Sequence, residues 1–163
     1  MKVYVGTYGK YNNGNLQGAW FNLEDYSCKD EFLDTAIKFH NDESDPELMY
    51  QDWDDDGLGL IGESVLDEKL WDLFELNDDE QSTVKAYASN GIELEEALEN
   101  AMDCFAGIYD TEAEFAEEWT IDVCGVEVPN HVVVDWEATW RCNLRHDIFS
   151  VRFNGDLYFF HNH

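Results

Sequence analysis

Asp52, Asp54 and Asp56 alternate along Asp52-Trp53-Asp54-Asp55-Asp56-Gly57, and Glu63 stands twelfth counting from Asp52. That spacing satisfies the calcium-loop pattern D-x-D-x-D-G-x5-E, in which alternating carboxylates and a bidentate glutamate surround one hard cation while a glycine makes the sharp turn. The flanks oppose it. An EF-hand needs an incoming helix, whereas Asp45-Pro46 leads here into a strand-like segment, and Gly59 occupies position eight, where an aliphatic residue normally pairs two loops. No second loop of this kind occurs in the sequence. A solvated acidic turn is the favoured reading, with an isolated calcium loop on Asp52, Asp54, Asp56 and Glu63 as the alternative.

Other site chemistries find less support. The histidines (His40, His131, His146, His161, His163) form no HExxH-type pair, and His161-Asn162-His163 reads as a frayed end rather than a zinc site. Cys28, Cys104, Cys124 and Cys142 lie far apart with no CxxC, which fits buried thiols in a reducing cytoplasm better than disulfides. A serine nucleophile elbow and a Walker loop are absent from the sequence. Gly57-x-Gly59-x-x-Gly62 matches a dinucleotide turn only superficially, because the acids before it would repel a pyrophosphate. Carboxylate catalysis needs one member of a pair raised in pKa inside a pocket, and 37 acids mark no such pair. The expectation is a protein that is not an enzyme and needs no cofactor.

Charge is the dominant chemistry. Between Asp30 and Glu127 stand 31 acidic residues against Lys38, Lys69 and Lys85, a net of −28, while the two flanks sum to +1 and −1. Modest net charge suffices for solubility, and an excess of this size costs stability through repulsion that a Debye length of about 10 Å at 0.1 M only partly screens. An aromatic content of 15% separates the chain from disordered acidic tails. Anionic membranes and nucleic acid would both repel it, since nucleic-acid binding needs a basic footprint. No apolar signal core follows Met1, so the expected location is the cytoplasm.

Carboxylates three or four residues apart on a helix stand in rows about 5–6 Å apart. Such rows imitate the phosphates of DNA, which carry one charge per about 1.7 Å of axis, and could enter the basic groove of a DNA-binding protein. Chaperoning of histones or other polycations would use the same chemistry with less geometric demand. The candidate surface residues are Asp30, Glu31, Asp34, Asp67, Glu68, Asp72, Glu75, Asp78, Asp79, Glu80, Glu93, Glu95, Glu96, Glu99, Asp103, Glu112, Glu114, Glu117 and Glu118.

These acids must be presented by folded elements, and 163 residues with 44% hydrophobic content can supply a core. Residues 2–8 (KVYVGTY) and 16–23 (LQGAWFNL) predict a hairpin across a type I′ turn at Asn13-Gly14. Residues 29–40 predict a covering helix with Phe32, Leu33, Ala36 and Phe39 inward, and residues 48–53 a third strand. Ser64, with Asp67 three residues on, predicts the start of a helix carrying Val65, Leu66, Leu70, Leu73 and Phe74. Further helices are expected over 77–90 and 93–105, one capped by Thr111 with Phe115, Ala116 and Trp119 inward, and one over 136–144. Asn154-Gly155 predicts a closing hairpin between 149–153 and 157–160. The expected class is α+β: an elongated chain of three small domains over residues 1–61 (antiparallel sheet with helix), 62–105 (acidic, helical) and 106–163 (α+β with a β-hairpin).

Four separated segments carry a family resemblance. Gly9-Lys10-Tyr11-Asn12-Asn13-Gly14 followed by Gly18-Ala19-Trp20-Phe21 resembles the opening of the ArdA antirestriction proteins. Asp52-Trp53-Asp54 is similar to another element of that family, as is Phe105-Ala106-Gly107-Ile108-Tyr109-Asp110 leading into Glu114-Phe115-Ala116-Glu117-Glu118. The fourth is Val134-Asp135-Trp136-Glu137-Ala138-Thr139-Trp140. The resemblance implies a protein of a phage, plasmid or transposon that acts in the bacterial cytoplasm and inhibits Type I restriction-modification enzymes by mimicking their DNA. It implies an elongated homodimer joined through its C-terminal domain, with the acidic surface filling the groove of the methyltransferase core and specificity subunit. Trp136-Glu137-Ala138-Thr139-Trp140-Arg141 departs from the more usual Tyr-Glu-Ala-Tyr-Ala-Arg form, so Trp140 bears on packing or on the dimer contact.

Overall fold

The structure is a computed structural model that describes residues 1–54 and 57–163. By contact the described residues group into two units, Met1–Asn77 and Asp78–His163. Both are α+β.

The first unit is built on β1 (Lys2–Thr7), whose alternate residues Val3 and Val5 are fully buried. After α1 (Tyr8–Asn12) the chain returns along β1 as β2 (Ala19–Asn22), antiparallel from Lys2↔Asn22 to Val5↔Ala19. The hairpin exists, but its connection differs from the expected I′ turn. Thr7 Oγ1 accepts from the Lys10 N–H at 3.1 Å and starts one helical turn. Asn13-Gly14 then ends that turn: the Gly14 N–H donates to Tyr11 O and the Asn15 N–H to Lys10 O, both at 2.9 Å, with Gly14 at φ +75°. This is a Schellman stop, which uses the same dipeptide to satisfy helix carbonyls.

Helix α2 (Lys29–Phe39) packs Phe32 and Ala36, both fully buried, against the sheet. Asp30 and Glu31 in its first turn and Lys38 in its last complement the helix dipole. The Phe32 ring meets Phe21 edge-on at 5.9 Å and Tyr26 at 5.6 Å. Phe39 was expected inward but is 46% exposed, and the next residue, His40, takes the buried position at the helix end. Strand β3 (Leu48–Trp53) spans the predicted residues and pairs with β1 on the side away from β2, giving the antiparallel order β2-β1-β3.

His40 accounts for a buried lysine. Lys10 Nζ donates to His40 Nδ1 at 2.9 Å and to Asp42 Oδ1 at 2.8 Å, and His40 Nε2 lies 3.2 Å from Val5 O. An ammonium can only donate, so Nδ1 must accept, and Nε2 carries the proton given to the Val5 carbonyl. The Lys10 hydrogen bond also holds the Asp42 carboxyl below its ordinary pKa, a contribution to stability lost as pH falls through that lowered value. Lys10→Met keeps the apolar stem but leaves His40 Nδ1, fully buried, without its donor. Urea denaturation will show a loss of about 2 kcal/mol; a loss under about 0.5 kcal/mol would mean that the network adds nothing beyond packing.

Between β3 and the next helix the prediction fails locally. Residues 64–68 are not helical: Ile61 bridges Leu66, the Gly62 N–H donates to Val65 O at 2.8 Å, and Val65 is 62% exposed. Helix α3 (Lys69–Phe74) starts five residues after Ser64, where the Lys69 N–H donates to Asp67 Oδ1 at 2.9 Å. The N-cap position falls on Glu68, whose side chain makes no capping bond, so Asp67, one residue earlier, rather than Ser64, supplies the side-chain acceptor for the first helical N–H. Leu66, Leu70 and Trp71 join the core of Val3, Val5, Phe21, Phe32 and Tyr50.

The second unit opens with α4 (Asp78–Ala88) and α5 (Leu94–Cys104), then turns directly into β4 (Phe105–Tyr109), α6 (Glu112–Glu118), α7 (Trp136–Cys142), β5 (Ile148–Phe153) and β6 (Asp156–His161). Strand β4 was not predicted; it pairs with β6 and completes an antiparallel sheet of order β4-β6-β5. The predicted hairpin is present, with Asn154 at φ +49° and Gly155 at φ +96°, the signs a type I′ turn requires. Strand β6 extends through His161, whose ring lies 5.0 Å from Trp119, so this end is paired rather than frayed.

Strand β6 explains why α4 and α5 group with the C-terminal elements rather than as a separate central domain. Leu157, Tyr158, Phe159 and Phe160 are all buried, and alternate residues of a strand face opposite sides. Phe159 stacks on Phe115 of α6 at 4.2 Å and meets Trp140 of α7 at 5.3 Å. Phe160 meets Tyr87 of α4 at 5.0 Å. Helices therefore cover both faces of the sheet. Residues 62–105 are accordingly divided, with α3 in the first core and α4 and α5 against the second sheet.

Tyr87 reports on that second layer. Burial pushes its hydroxyl up to about 12, helped by the hydrogen bond to Cys104 Sγ at 3.8 Å and the charge of Glu96. The sign follows from linkage: the unfolded chain ionises at about pH 10, so the stabilising contribution is complete below that and is lost as pH rises through about 12. Urea midpoints will fall more steeply between these limits for the native chain than for Tyr87→Phe. Equal slopes would show that Tyr87 is not the group being protected.

All four cysteines are free, but only Cys104 is buried; Cys28, Cys124 and Cys142 are exposed, against the expectation of buried thiols. Among the described residues no helix is long and apolar enough to cross a membrane.

Candidate functional site

The candidate carboxylates lie where a helix turns away from its core. In α5, Leu94, Ala97, Ala101 and Cys104 form the buried face, so Glu95, Glu96, Glu99 and Asp103 occupy the remaining surface and are exposed. Glu95 and Glu99 are one turn apart, as are Glu99 and Asp103. The same geometry puts Asp30 and Asp34 on one side of α2, Glu68, Asp72 and Glu75 along α3, and Glu114, Glu117 and Glu118 along α6, all exposed. Asp78 and Asp79 at the start of α4, Glu31, and Glu93 before α5 are exposed too, while Asp67, Glu80 and Glu112 are half-buried. None of these side chains enters a core.

Counter-charge is scarce in both units. The first holds 18 acidic against five basic side chains, a net of −13, and the second 19 against four, a net of −15. Basic partners therefore run out long before carboxylates do. One basic side chain is withdrawn further, because Lys10 is buried in the His40 network. Lys69 pairs with Asp72 at 3.5 Å. Like charges one helical turn apart oppose helix formation by about 0.2–0.5 kcal/mol per pair, so the rows are carried by the apolar faces beneath them.

Several candidates also have structural duties. Glu31 accepts from the Ser27 N–H and hydroxyl, both at 2.7 Å, and these bonds lower its pKa. Glu114 accepts from the Asp110 N–H at 3.1 Å, while its own N–H donates to the Thr111 cap. Glu112 accepts from the Ser150 hydroxyl at 2.7 Å and Glu118 from the Tyr109 hydroxyl at 3.2 Å. Burial, and then the Glu118 charge, raise the Tyr109 pKa.

The calcium alternative lacks its scaffold. Asp52 lies in a paired strand opposite Tyr4, Asp54 Oδ2 accepts from the Lys2 N–H at 2.7 Å, and no helix leads into the segment. Glu63 contributes its carbonyl to the Tyr50 N–H at 2.8 Å. Asp56 lies outside the described residues, and among those described no group of three or more His, Cys, Asp or Glu could hold a metal ion.

The first sheet also carries a concave site that no sequence motif marks. A cleft of about 660 Å³ opens on the face of the first sheet that carries Tyr4 and Trp20, opposite the Val3 and Val5 face. The available signal was the alternation in β1, which puts Tyr4 on the face opposite its two core valines.

Among curated proteins none matches the chain. The sequence model of one family, Antirestriction protein (ArdA), matches residues 3–152 of 163, a span that crosses both units and takes in all four resembling segments. The chain belongs to the ArdA antirestriction family.

Proposed function

We propose that this protein blocks Type I restriction-modification enzymes by occupying their DNA groove, with the exposed carboxylates acting collectively in place of phosphates. The observation that carries the reading is the excess of exposed acid over base in both units of an antirestriction family member. A groove evolved for DNA presents basic side chains over a long surface, and an acidic protein gains steered association and counterion release there. No chemical step is needed, so the protein is proposed to act without catalysis or cofactor. It would act in the cytoplasm of the host cell, on the methyltransferase core and specificity subunit, and as a homodimer joined through its C-terminal residues 106–163.

A purified Type I methyltransferase loaded with its cognate duplex tests this. The protein will displace the duplex in proportion to its concentration, and less effectively as salt rises, whereas an unrelated acidic protein of similar net charge will not. Equal displacement by the control would reduce the activity to general polycation binding.

A further inference from the structure

The cleft on the first sheet is built from aromatic rings and carboxylates. Tyr4 and Trp20 are cross-strand partners in β1 and β2 and meet edge-on at 5.5 Å. On the other side of Tyr4 the pairing with β3 slips: Tyr4 faces Asp52 and Val5 faces Tyr50, so Gln51 is an extra residue and the strand is bulged. A bulge re-aims the side chains after it. It makes Asp52 the cross-strand partner of Tyr4 while leaving Tyr50 and Trp53 with the core beside Val5 and Val3.

The connection from α1 walls the cleft with Tyr11 and Leu16, and the Tyr4 hydroxyl donates to Leu16 O at 3.0 Å. Gly18 permits this closure, since a Cβ there would lie 2.3 Å from Val5 O and 2.9 Å from the Tyr4 ring. Glu63 completes the lining, and among the described lining residues there is no Lys, Arg or His. Tyr11 and Trp20 are about half exposed, at 49% and 52%.

Ring faces attract cations, and Arg adds a planar stacking surface and a fork of donors that suits a carboxylate. An anion would be repelled by Asp52 and Glu63; a neutral apolar group would strip water from both and supply no donor beyond those they have, the Trp53 N–H to Asp52 Oδ1 at 2.9 Å and the Tyr8 hydroxyl to Glu63. A cleft of about 660 Å³ accommodates a guanidinium with its stem. We propose that this cleft receives an arginine side chain of the protein partner, with the guanidinium against Trp20 and Tyr4 and bonded to Asp52. The inference rests on the proposed function only for who supplies the arginine; recognition of the guanidinium belongs to the cleft itself.

The test titrates the full chain with N-acetylarginine amide while following backbone amide NMR shifts. Its neutral isostere, N-acetylcitrulline amide, and tetramethylammonium are run as separate arms. Saturable shifts at Gln51 and Asp52 with the arginine probe alone are expected. Trp20→Ala will weaken binding about tenfold and Asp52→Asn about fivefold, while Trp20→Phe retains it within about twofold. Unchanged spectra elsewhere in the variants confirm folding; should Trp20→Ala fail to fold, Asp52→Asn and Trp20→Phe still decide. Equal binding of citrulline amide, non-saturating shifts spread over the acidic helices, or indifference to Asp52→Asn would overturn the proposal. Tetramethylammonium binding as tightly as arginine would also overturn it, making the ligand a small quaternary cation. Duplex displacement does not involve the probe, so failure of the cleft and failure of the distributed mimicry are separately visible.

Discussion

Conversion of Asp30, Asp34, Glu68, Glu75, Asp78, Glu93, Glu96, Glu99, Asp103 and Glu117 to their amides will raise the concentration needed for half-displacement of duplex from a Type I methyltransferase on the order of a thousandfold. All of these side chains are exposed, and the set leaves out the carboxylates hydrogen-bonded within the fold, such as Glu31, Glu112, Glu114 and Glu118. An exposed charge pair contributes about 0.2–1 kcal/mol, so one amide will change inhibition only a few-fold, and the set sums to several kcal/mol. Sites on different helices sum approximately, because they share no partner. Folding will hold, since most of these amides relieve repulsion with acids one turn away, which offsets the helix-dipole stabilisation lost at Asp30, Asp78 and Glu96 in first turns. A graded series with unchanged unfolding midpoints is the expected outcome. If one amide abolishes inhibition while the fold persists, or if the whole set leaves inhibition intact, collective mimicry is wrong. Added salt will act on the native protein in the same direction, weakening its hold on a basic groove, and will affect the set variant with a shallower slope because it releases fewer counterions.

The acidic surface was legible in the sequence because charge needs no topology. A helix that buries Leu94, Ala97, Ala101 and Cys104 leaves Glu95, Glu96, Glu99 and Asp103 only the outside, whichever way it packs. Elements that depend on distant partners were less legible. Asn154-Gly155 and Asn13-Gly14 are the same dipeptide, yet the first makes a tight hairpin and the second stops a helix. The difference lies upstream, where Thr7 caps a turn and buried Lys10 supplies the carbonyl that Asn15 needs. Strand β4 follows α5 with no turn residue between them, so only its pairing with β6 marks it as a strand. Ser64 carried a helix-start pattern, but the bridge between Ile61 and Leu66 takes those residues first. The consecutive apolar residues Leu157, Tyr158, Phe159 and Phe160 held an unused clue. A strand apolar on both faces needs helices on both sides, and the acidic helices α4 and α5 supply the second cover. The rings on the outer face of the first sheet were hidden in another way, since the bulge at Gln51 decides whether Asp52 joins Tyr4.

Trp140→Ala will have the largest effect on stability, a loss of about 3–5 kcal/mol, out of the 5–15 kcal/mol typical of a whole domain. Trp140 is 5% exposed and meets Phe115 at 5.7 Å and Phe159 at 5.3 Å, both edge-on, while those two rings stack on each other. Its helix is fixed at the N-terminus by Asp135, which accepts from the Ala138 N–H at 2.9 Å. Truncation would therefore leave a cavity at the centre of an aromatic cluster whose other members are anchored on α6 and β6, with little freedom to collapse. Urea denaturation will show a lower midpoint with an unchanged slope, and Trp140→Phe will recover most of the loss. This position departs from the small residue more usual in the family segment, which left packing and dimer contact as alternatives for its role. They predict different concentration dependence. A side chain that fills the protomer core lowers the midpoint equally at all protein concentrations, whereas one that joins two protomers makes the loss grow with concentration, because association stabilises only the native chain. With Trp140 buried among rings of its own unit, a concentration-independent loss is expected. A loss confined to high concentration, with Trp140→Phe failing to restore it, would move the residue from the core to an interface.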